Sequence, residues 1–517
     1  MLKTYPTTFL LPKRLSLASL LNKRRDPAQR DTQNNALAQT SSLSSATDAS
    51  LAHQHREDPR QPALLVSHRM ATPQADGASR PQRSFLNFFP LGYKEAAQQW
   101  VSLHRSPPET PPQSDPFGQR VWRSSMVQLS GKNRALNELS IERIGEQVDD
   151  TLVMVHGYGA GLGFFYKNFE PLSRAQGWRL YALDMLGMGN SSRPPFKVHA
   201  KDPKEKIAEA ESWFIDALEE WRKVRNIEKF TLLGHSLGGY LAVSYALKYP
   251  GRLNKLILAS PVGIPEDPWA VNAALPEPEN STLANEFTQD QESIHPPTRR
   301  PPPPPLHRHH PPKRPIPGWL VWLWDANVSP FSIVRLSGPL GPRFVSGWTS
   351  RRFNHLPTDE KDALHTYAYT IFTQRGSGEY VLPYVLAPGA YARSPVINRI
   401  QDVGRQTVQP ATETTPAVRE TGLPIVFMYG ENDWMDVAGG YAAEEKIRQR
   451  VVARALLEGS EEERKRENGS AKVVVVRKAG HHLYLDNPEE FNEVVRKEME
   501  DTREKGKRER ERATVKV

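Results

Sequence analysis

The stretch FTLLGHSLG, residues 230–238, runs from a short apolar segment into a serine between two glycines, and a helix-forming segment, 240–247, follows it. This order predicts a strand, a tight turn and a helix. The glycines leave room for the close backbone approach that the turn requires, and the turn lifts the Ser236 hydroxyl above the edge of a sheet. Ser236 is therefore a candidate nucleophile, although Gly-x-Ser-x-Gly also occurs in ordinary tight turns.

Short β-branched runs alternate with amphipathic segments on both sides of this unit, which is typical of a parallel sheet wrapped by helices. The fourth and fifth predicted strands lie too far apart in sequence for a single crossover, so we expect an inserted lid domain between them. The predicted strands are Thr151 to Val155, Arg179 to Leu183, Phe230 to Leu233, Leu256 to Ala259, Pro424 to Tyr429 and Lys472 to Val476.

The composition indicates that only part of the chain forms this core. Of the 517 residues, 45 are prolines and only 38% are hydrophobic, which is poor for a chain ordered throughout. The predicted organisation is a presequence at 1–30, a disordered linker at 31–85, a first core part at 90–262, a lid insertion at 263–395 with a disordered proline-rich tract at 275–317, a disordered insertion at 396–421, a second core part at 422–495 and a charged tail at 498–517.

The amino-terminal segment is basic and rich in hydroxyl and apolar residues. Its first 25 residues contain six lysines and arginines and no acid, and an apolar-hydroxyl stretch covers 15–21. This pattern favours a mitochondrial presequence, which would place the protein peripherally at the inner membrane. A disordered basic tail is the alternative, with the cytosol or a lipid droplet surface as the address. The sequence contains no run of 18 apolar residues that would predict a membrane-spanning helix.

The residue inventory limits the chemistry. Because the chain has no cysteine, disulfides and thiolate metal sites are excluded. The histidines of 307–310 lie in a solvated basic tract without acidic partners, so we expect neither a metal nor another cofactor. The net charge of +9 makes anionic lipid a candidate partner, whereas no nucleic-acid-reading motif is present and no nucleic acid is expected.

A glycine-rich segment follows the first predicted strand. Residues 155–161 read VHGYGAG, and glycines at such a strand end let backbone amides turn toward a developing oxyanion. We predict that the amides of Tyr158 and Leu237 form a two-donor oxyanion hole. A phosphate-binding loop is the alternative interpretation, but neither a Gly-Lys-Ser/Thr ending nor a complete dinucleotide fingerprint is present.

An acid and a base follow the last two predicted strands. Asp433 could orient a histidine without itself taking the proton, while Asp436 competes for this role, and either could cap the next helix. His481 is the predicted base because it directly follows Gly480, with His482 as the alternative. The chain order serine, acid, histidine is the one expected of a nucleophile on a strand-turn-helix unit. His156 and His235 are predicted to be packing and turn residues.

Together these stretches resemble the α/β-hydrolase fold, a mostly parallel central sheet flanked by helices, here with an inserted lid domain and disordered insertions. More closely, the chain resembles a lipid-acting branch with mitochondrial cardiolipin-specific deacylases, fungal lysophosphatidic acid acyltransferases and a non-catalytic lipase co-activator. The similarity extends from about residue 90 to 495. Its matching stretches are 156–161, 184–194, 234–238, Leu340-Gly341-Pro342-Arg343 and 481–486.

The resemblance implies a carboxylic ester hydrolase of the phospholipase or deacylase type, which forms an acyl-enzyme on Ser236 and acts on phospholipids or lysophospholipids at a membrane surface. The co-activator has no serine at this position, so the resemblance favours catalysis here. His481 and Asp486 have the His-x4-Asp spacing that the family shares with glycerolipid acyltransferases. Lysophosphatidic acid acyl transfer and a non-catalytic role are therefore the alternatives, and Asp486 could instead serve a helix start at 487–490.

The predicted lid contains a cluster of aromatic and aliphatic residues at 318–324, which continues through Phe331, Ile333 and Val334. Tryptophan suits a membrane interface because its ring is apolar and carries one polar N–H. The cluster could therefore enter a bilayer, with Arg343 near a lipid phosphate, or it could simply pack the lid against the sheet.

Overall fold

A computed structural model of the protein describes residues 117–266, 324, 326–387, 391–457 and 461–515. The predicted presequence at 1–30, the linker at 31–85 and the proline-rich tract at 275–317 lie outside the described residues. So do residues 90–116 of the first predicted core part and most of the aromatic cluster at 318–324.

One eight-stranded sheet organises the described residues. Its strands are β1 Arg120–Gln128, β2 Ala135–Arg143, β3 Asp150–Val155, β4 Trp178–Leu183, β5 Phe230–His235, β6 Leu253–Ala259, β9 Pro424–Gly430 and β10 Ser470–Val476, and a separate hairpin pairs β7 Thr407–Gln409 with β8 Val418–Arg419. The order in the sheet is β1-β2-β4-β3-β5-β6-β9-β10. In this order, β1 and β2 pair antiparallel, β2 pairs antiparallel with β4, and the six strands that begin with β4 run parallel.

Helices cover this sheet and fill the long connection between β6 and β9. Among the helices that the structure describes, none is both long enough and apolar enough to cross a bilayer. They are α1 Tyr166–Leu172, α2 Pro203–Val224, α3 Leu237–Lys248, α4 Pro330–Leu336, α5 Gly341–Arg352, α6 Thr358–Thr373, α7 Leu382–Val385, α8 Val437–Leu457, α9 Glu461–Arg466, α10 Leu483–Asp486 and α11 Pro488–Val515.

The predicted fold class, a mostly parallel sheet flanked by helices, is confirmed. The central strands β3 and β5 are buried along their whole length, which explains their continuous apolar sequences. All six predicted strands are present, and each extends at most three residues beyond its predicted bounds. The two strands of the eight-stranded sheet that the sequence did not reveal, β1 and β2, lie on one side of the sheet and carry charged side chains among their apolar ones.

Helices α4 to α7, within 326–387, form a layer that we call the lid. Its inner side is apolar: Phe331, Trp348, Leu364 and Tyr367 are all buried. The lid contacts the loop that follows β3, since the rings of Phe331 and Tyr158 stack with centroids 5.3 Å apart. The lid therefore covers the carboxyl edge of the sheet, where ligands of α/β proteins bind.

The prediction that 396–421 is a disordered insertion is wrong. Val396 and Ile400 are fully buried, and the amides of Val396 and Ile397 donate to the carbonyls of Gly263 and Ile264, each at 2.9 Å. The polar composition of the segment hid these few apolar anchors, which dock on the chain just after β6. The β7–β8 hairpin within it is exposed.

The predicted boundary between a second core part ending at 495 and a charged tail at 498–517 also requires correction, because α11 continues without interruption to Val515. Met499 and Thr502 are buried, and Glu498 accepts a hydrogen bond from Lys255 Nζ at 2.8 Å. One face of α11 is thus buried, and the core extends beyond residue 498. The segment 498–517 is nevertheless as rich in charged residues as predicted.

Candidate active site

Ser236 occupies a strained turn between β5 and α3. Its φ of 52° and ψ of −117° lie in a region that costs a non-glycine residue about 1–3 kcal/mol. The surrounding backbone maintains this conformation: the Ser236 amide donates to the Ala259 carbonyl at 2.9 Å, and the Ser236 carbonyl accepts from Gly239 and Tyr240. Strain at this position directs the side chain away from the helix that follows.

The two glycines that flank the turn allow three backbone segments to meet. A Cβ atom on Gly234 would lie 2.5 Å from the Gly238 carbonyl oxygen, and one on Gly238 would lie 2.5 Å from the His156 carbonyl oxygen. Both separations are shorter than real Cβ contacts, so neither position accepts a side chain without a backbone shift. The spacing of the sequence motif therefore reflects crowding between α3, β5 and the loop after β3.

The predicted oxyanion loop lies beside the serine. A Cβ atom on Gly157 would be 2.9 Å from the Ser236 Cβ, which places the following amide, that of Tyr158, next to the nucleophile. Within the part of the chain that the structure describes, no hydrogen bond occupies the amide of Tyr158 or of Leu237. Both predicted donors are thus available to an oxyanion.

His156 holds this loop in a single orientation. The Met185 amide donates to its Nε2 at 3.1 Å, so the ring carries its proton on Nδ1, which donates to the Gly157 carbonyl at 2.7 Å. Burial lowers the pKa of His156, which keeps the ring neutral. Its place in packing and loop geometry agrees with the prediction that it is not the base.

Asp433 and His481 lie together at the ends of β9 and β10. The His481 Nδ1 faces the Asp433 Oδ1 at 3.2 Å, and both side chains are 2% exposed. Because a carboxylate can only accept, Nδ1 carries the proton and Nε2 is left as a proton acceptor. The Trp434 ring lies 4.7 Å from the His481 ring and limits its movement.

Two further groups fix the Asp433 carboxylate. The Ser260 hydroxyl donates to Oδ2, and the Met435 amide donates to Oδ1 at 3.0 Å. Asp436 instead accepts the Ala438 amide at 2.9 Å, beside the start of α8. The geometry therefore places Asp433, and not Asp436, against the histidine.

His235 connects the serine turn to the histidine loop. Its Nε2 donates to the His481 carbonyl at 3.0 Å, and the two rings lie 4.8 Å apart. Since Ser236 directly follows His235, this contact brings the nucleophile and His481 to the same edge of the sheet. Ser236, Asp433 and His481 thus come from three strand ends that meet in one place.

His482 belongs to an aromatic cluster under the lid. Its ring lies 6.0 Å from Phe164, 5.4 Å from Phe353 and 5.9 Å from Tyr484. Burial lowers the pKa of His482 well below its usual value. The Asp433 carboxylate pairs with His481, which leaves His482 in a packing role.

Asp486, the second member of the His-x4-Asp spacing, forms an ion pair with the lid. Arg352 donates from both terminal nitrogens to the Asp486 carboxylate at 2.9 and 2.8 Å, and both side chains are almost completely buried. Asp486 does not cap α11, because the Asn487 side chain accepts the Glu490 amide at that helix start. Although burial raises the pKa of Asp486, the Arg352 guanidinium and the Gly480 amide outweigh it and lower the pKa.

The lid closes the site. Phe331 stacks on Tyr158, and a Cβ atom on Gly159 would lie 2.9 Å from the Phe331 ring. The cavity between this loop and the lid, which Met188, Arg193 and Phe372 also line, has a volume of about 20 Å³. It has room for little more than a water molecule, so the lid packs closely on the loop beside the serine.

Two residues of this site were not predicted from sequence. Ser260 directly follows the fourth predicted strand, and its position at a carboxyl edge is the signal that could have identified it. Arg352 gave no such signal, because it lies 134 residues from Asp486 in sequence.

Comparisons with known proteins agree with this architecture. The alpha/beta hydrolase fold family matches residues 150–299. A probable 1-acylglycerol-3-phosphate O-acyltransferase of Oryza sativa subsp. japonica is 31% identical over 80% of this chain and 78% of its own length. The 1-acylglycerol-3-phosphate O-acyltransferase ABHD5 of Homo sapiens is 30% identical over 74% and 86%, and the (lyso)-N-acylphosphatidylethanolamine lipase of Mus musculus is 30% identical over 68% and 79%.

Three fully buried histidines make stability depend on pH. Burial lowers the pKa of His156, His235 and His482 in the folded state, so the unfolded chain binds more protons below its histidine pKa of about 6.5. The contribution of these neutral histidines to the free energy of unfolding is therefore fully present above that pH and decreases below it. We expect the free energy of unfolding to drop by up to about 1.4 kcal/mol per histidine between pH 7.5 and 5.5, measured by denaturant titration.

His482→Phe provides the matched control, because phenylalanine suits the aromatic surroundings and cannot titrate. The variant should show a shallower loss of stability than the parent over the same pH range. An unfolding free energy that stays constant from pH 7.5 to 5.5 in the parent would contradict the prediction.

Proposed function

Because the chain belongs to the lipid-acting branch of the α/β-hydrolase superfamily, we propose that it is a serine-dependent acyl hydrolase of phospholipids or lysophospholipids. The single observation that carries the proposal is the meeting of a strained serine with a buried histidine–carboxylate pair at one edge of the sheet. A histidine whose Nδ1 faces a carboxylate has its Nε2 ready to take a hydroxyl proton.

The first half-reaction forms an acyl-enzyme. His481 Nε2 takes the Ser236 Oγ proton while Oγ attacks the carbonyl carbon of a fatty acyl ester. The Tyr158 and Leu237 amides stabilise the oxyanion of the tetrahedral intermediate. When the intermediate collapses, the bond to the glycerol oxygen breaks, and His481 returns the proton to that leaving alkoxide.

The second half-reaction determines the product. If water attacks the acyl-enzyme, His481 takes a water proton, Ser236 is regenerated and a fatty acid is released. If a lysophospholipid hydroxyl attacks instead, the same intermediate yields a new ester. We assign hydrolysis as the main activity and a cardiolipin-type phospholipid as the substrate, a choice supported by the family resemblance and the basic character of the chain.

Acyl transfer to lysophosphatidic acid is the second candidate, since relatives in rice and human are named as acyltransferases. One form of this candidate uses His481 with Asp486 and does not need the serine. The Arg352–Asp486 ion pair argues against that form, because the guanidinium and the Gly480 amide already occupy the carboxylate. Acyl transfer through Ser236 remains compatible with this arrangement.

Ser236→Ala should lower fatty acid release from cardiolipin or phosphatidylethanolamine vesicles by at least about 10³-fold, because it removes the nucleophile. The variant should also lose labelling by a fluorophosphonate, which reacts with activated serines. Ser244→Ala is the matched control: Ser244 is a buried serine on α3 whose hydroxyl bonds the Tyr240 carbonyl, so its loss should leave both readouts unchanged.

Unchanged fatty acid release from Ser236→Ala protein would rule out the serine mechanism. Labelled acyl-CoA with lysophosphatidic acid then distinguishes the alternatives: transfer that survives in Ser236→Ala but stops in Asp486→Asn supports the His481–Asp486 form. A parent chain that neither reacts with the probe nor turns over lipid supports a non-catalytic role.

We further propose that the protein meets its substrate at an anionic membrane surface through the outer corner of the lid. Ile333, Leu336, Leu340 and Phe344 all face solvent there, Leu336 with 86% of its surface exposed. The inner side of the same helices packs on the protein and is also apolar. A surface helix normally presents polar residues on its outer side, so the exposed apolar residues are the unusual feature. Grouped apolar side chains of this kind can bury themselves in the interfacial layer of a bilayer.

The charge of the corner suits an anionic membrane. Residues 326–357 contain four arginines and no acidic residue. Arg335 pairs with Glu379 and Arg352 with Asp486, while among the described residues Arg343 and Arg351 are exposed and form no ion pair. Two free cations beside an apolar surface would contact lipid phosphates once that surface is inserted.

Replacing Ile333 and Leu336 together with serine should weaken binding of the full chain to phosphatidylcholine–phosphatidylglycerol vesicles by about tenfold or more, as measured by flotation, because apolar burial is lost. Val452 and Leu456 are similarly exposed on α8, and their double serine variant is the matched control. Equal binding of the two double variants would contradict the assignment. A change in oligomeric state confined to the lid variant would identify the corner as a contact between copies.

The mitochondrial address is a separate proposal that the basic amino terminus supports. A fluorescent protein fused to residues 1–40 should localise to mitochondria, and replacing Arg14, Lys23, Arg24 and Arg25 with glutamine should leave the fusion in the cytosol, because import depends on the positive face of the segment. Cytosolic fluorescence of the unaltered fusion would refute this address.

A further inference from the structure

The ion pair between Arg352 and Asp486 joins the lid to the segment that follows His481. Arg352 is the last residue of lid helix α5, whereas Asp486 ends α10, in the segment after the predicted base. Two parallel hydrogen bonds from one guanidinium fix orientation as well as distance. Movement of this end of the lid would therefore be transmitted to the Asp486 side chain.

Asp486 in turn contacts the backbone next to His481. The Gly480 amide donates to Asp486 Oδ2 at 2.9 Å, the same oxygen that accepts from Arg352. The chain turns sharply here, since Lys478 has a φ of 50° and its amide donates to Glu431. The Gly480 bond is thus the last backbone anchor before the catalytic histidine.

The carboxylate cannot retain this position alone. Asp486 is completely buried, and loss of Arg352 would remove its guanidinium partner. His355 Nε2 lies 3.9 Å from Asp486 Oδ1, but burial lowers the pKa of His355 and keeps it neutral, so the carboxylate would take up a proton or move toward water. Either outcome weakens the acceptor that holds the Gly480 amide. The neighbouring Phe353 is also fully buried and packs 5.4 Å from the His482 ring, so this end of the lid is fixed to the histidine loop at two places.

We infer that Arg352 is a positioning residue, which acts through Asp486 and the Gly480 amide to hold His481 in line with Ser236 while the rest of the lid moves. The inference rests on the proposed function, because it assumes that His481 activates Ser236. It gives the His-x4-Asp spacing a role in serine chemistry that needs no direct contact between Asp486 and substrate.

The test measures the rate of fluorophosphonate acylation of Ser236 in the full chain alongside thermal unfolding. Arg352→Ala should slow acylation by about tenfold or more, since small displacements of a catalytic group reduce rates steeply. Arg352→Lys, which keeps the charge, should recover part of this rate. Arg352→Met combined with Asp486→Leu removes the buried charges together and should recover stability without recovering the rate.

Arg222→Ala is the matched control, because Arg222 forms a comparably buried ion pair with Glu219 on α2. It should lower stability and leave the acylation rate of the folded protein unchanged. Recovery of both stability and rate in the Arg352→Met, Asp486→Leu protein would overturn the inference, as would equal slowing by Arg222→Ala.

Hydrogen exchange separates this inference from the proposed function. The Gly480 amide should exchange faster in Arg352→Ala and in the double variant than in the parent. A parent chain that shows no Ser236 labelling would contradict the proposed function, and unchanged exchange at Gly480 would then still overturn the positioning role of Arg352.

Discussion

Backbone atoms of three segments meet around Ser236 with no space for one additional carbon at either flanking glycine. The His156 carbonyl faces Gly238, and the Gly238 carbonyl faces Gly234. This crowding forces Ser236 into its strained conformation and sets the loop after β3 beside it. The positions of the oxyanion loop, of His235 and thus of the His481 loop all depend on that one close approach.

Burial then determines the electrostatics of the site. His156, His235 and His482 are too deeply buried to hold a charge near neutral pH, and burial lowers the pKa of each. His481 is also buried, and its Nδ1 faces the Asp433 carboxylate at 3.2 Å, whereas His156, although 3.7 Å from Asp184, accepts the Met185 amide at Nε2 and donates from Nδ1 to the Gly157 carbonyl. A positive charge that forms on the His481 ring during proton transfer is therefore stabilised by Asp433.

The sequence predicts those parts of the structure whose signals are local. β3 and β5 are buried on both faces, so their continuous apolar runs identify them, and Tyr158 and Ser236 lie in the turns that follow these two runs. β1 and β2 escaped prediction because charged residues interrupt their apolar pattern, although Glu138 is buried by pairing with Arg225. In 396–421, a few apolar anchors such as Ile400 are hidden among polar neighbours, and only tertiary packing shows their importance.

Pairings between distant residues were beyond the reach of local patterns. The choice of Asp433 over Asp436 followed from its position at a strand end, but the Ser260 hydroxyl that holds it depends on the order of β6 and β9 in the sheet. Arg352 lies on a lid helix whose docking no periodicity encodes. The candidate site residues could thus be located individually at strand ends, whereas the contacts that fix them required the fold.

The buried pair of Arg352 and Asp486 has a consequence for how this protein family changes over time. Loss of either partner leaves an uncompensated charge in the interior, so neutral drift at one position is blocked unless the other changes with it. Asp486 would then persist through selection on folding, whatever reaction a given relative catalyses. This constraint predicts that the positions of Arg352 and Asp486 change together among relatives. An aspartate at position 486 is therefore first an indication that the lid is anchored to the histidine loop, and it is weaker evidence for acyltransferase activity.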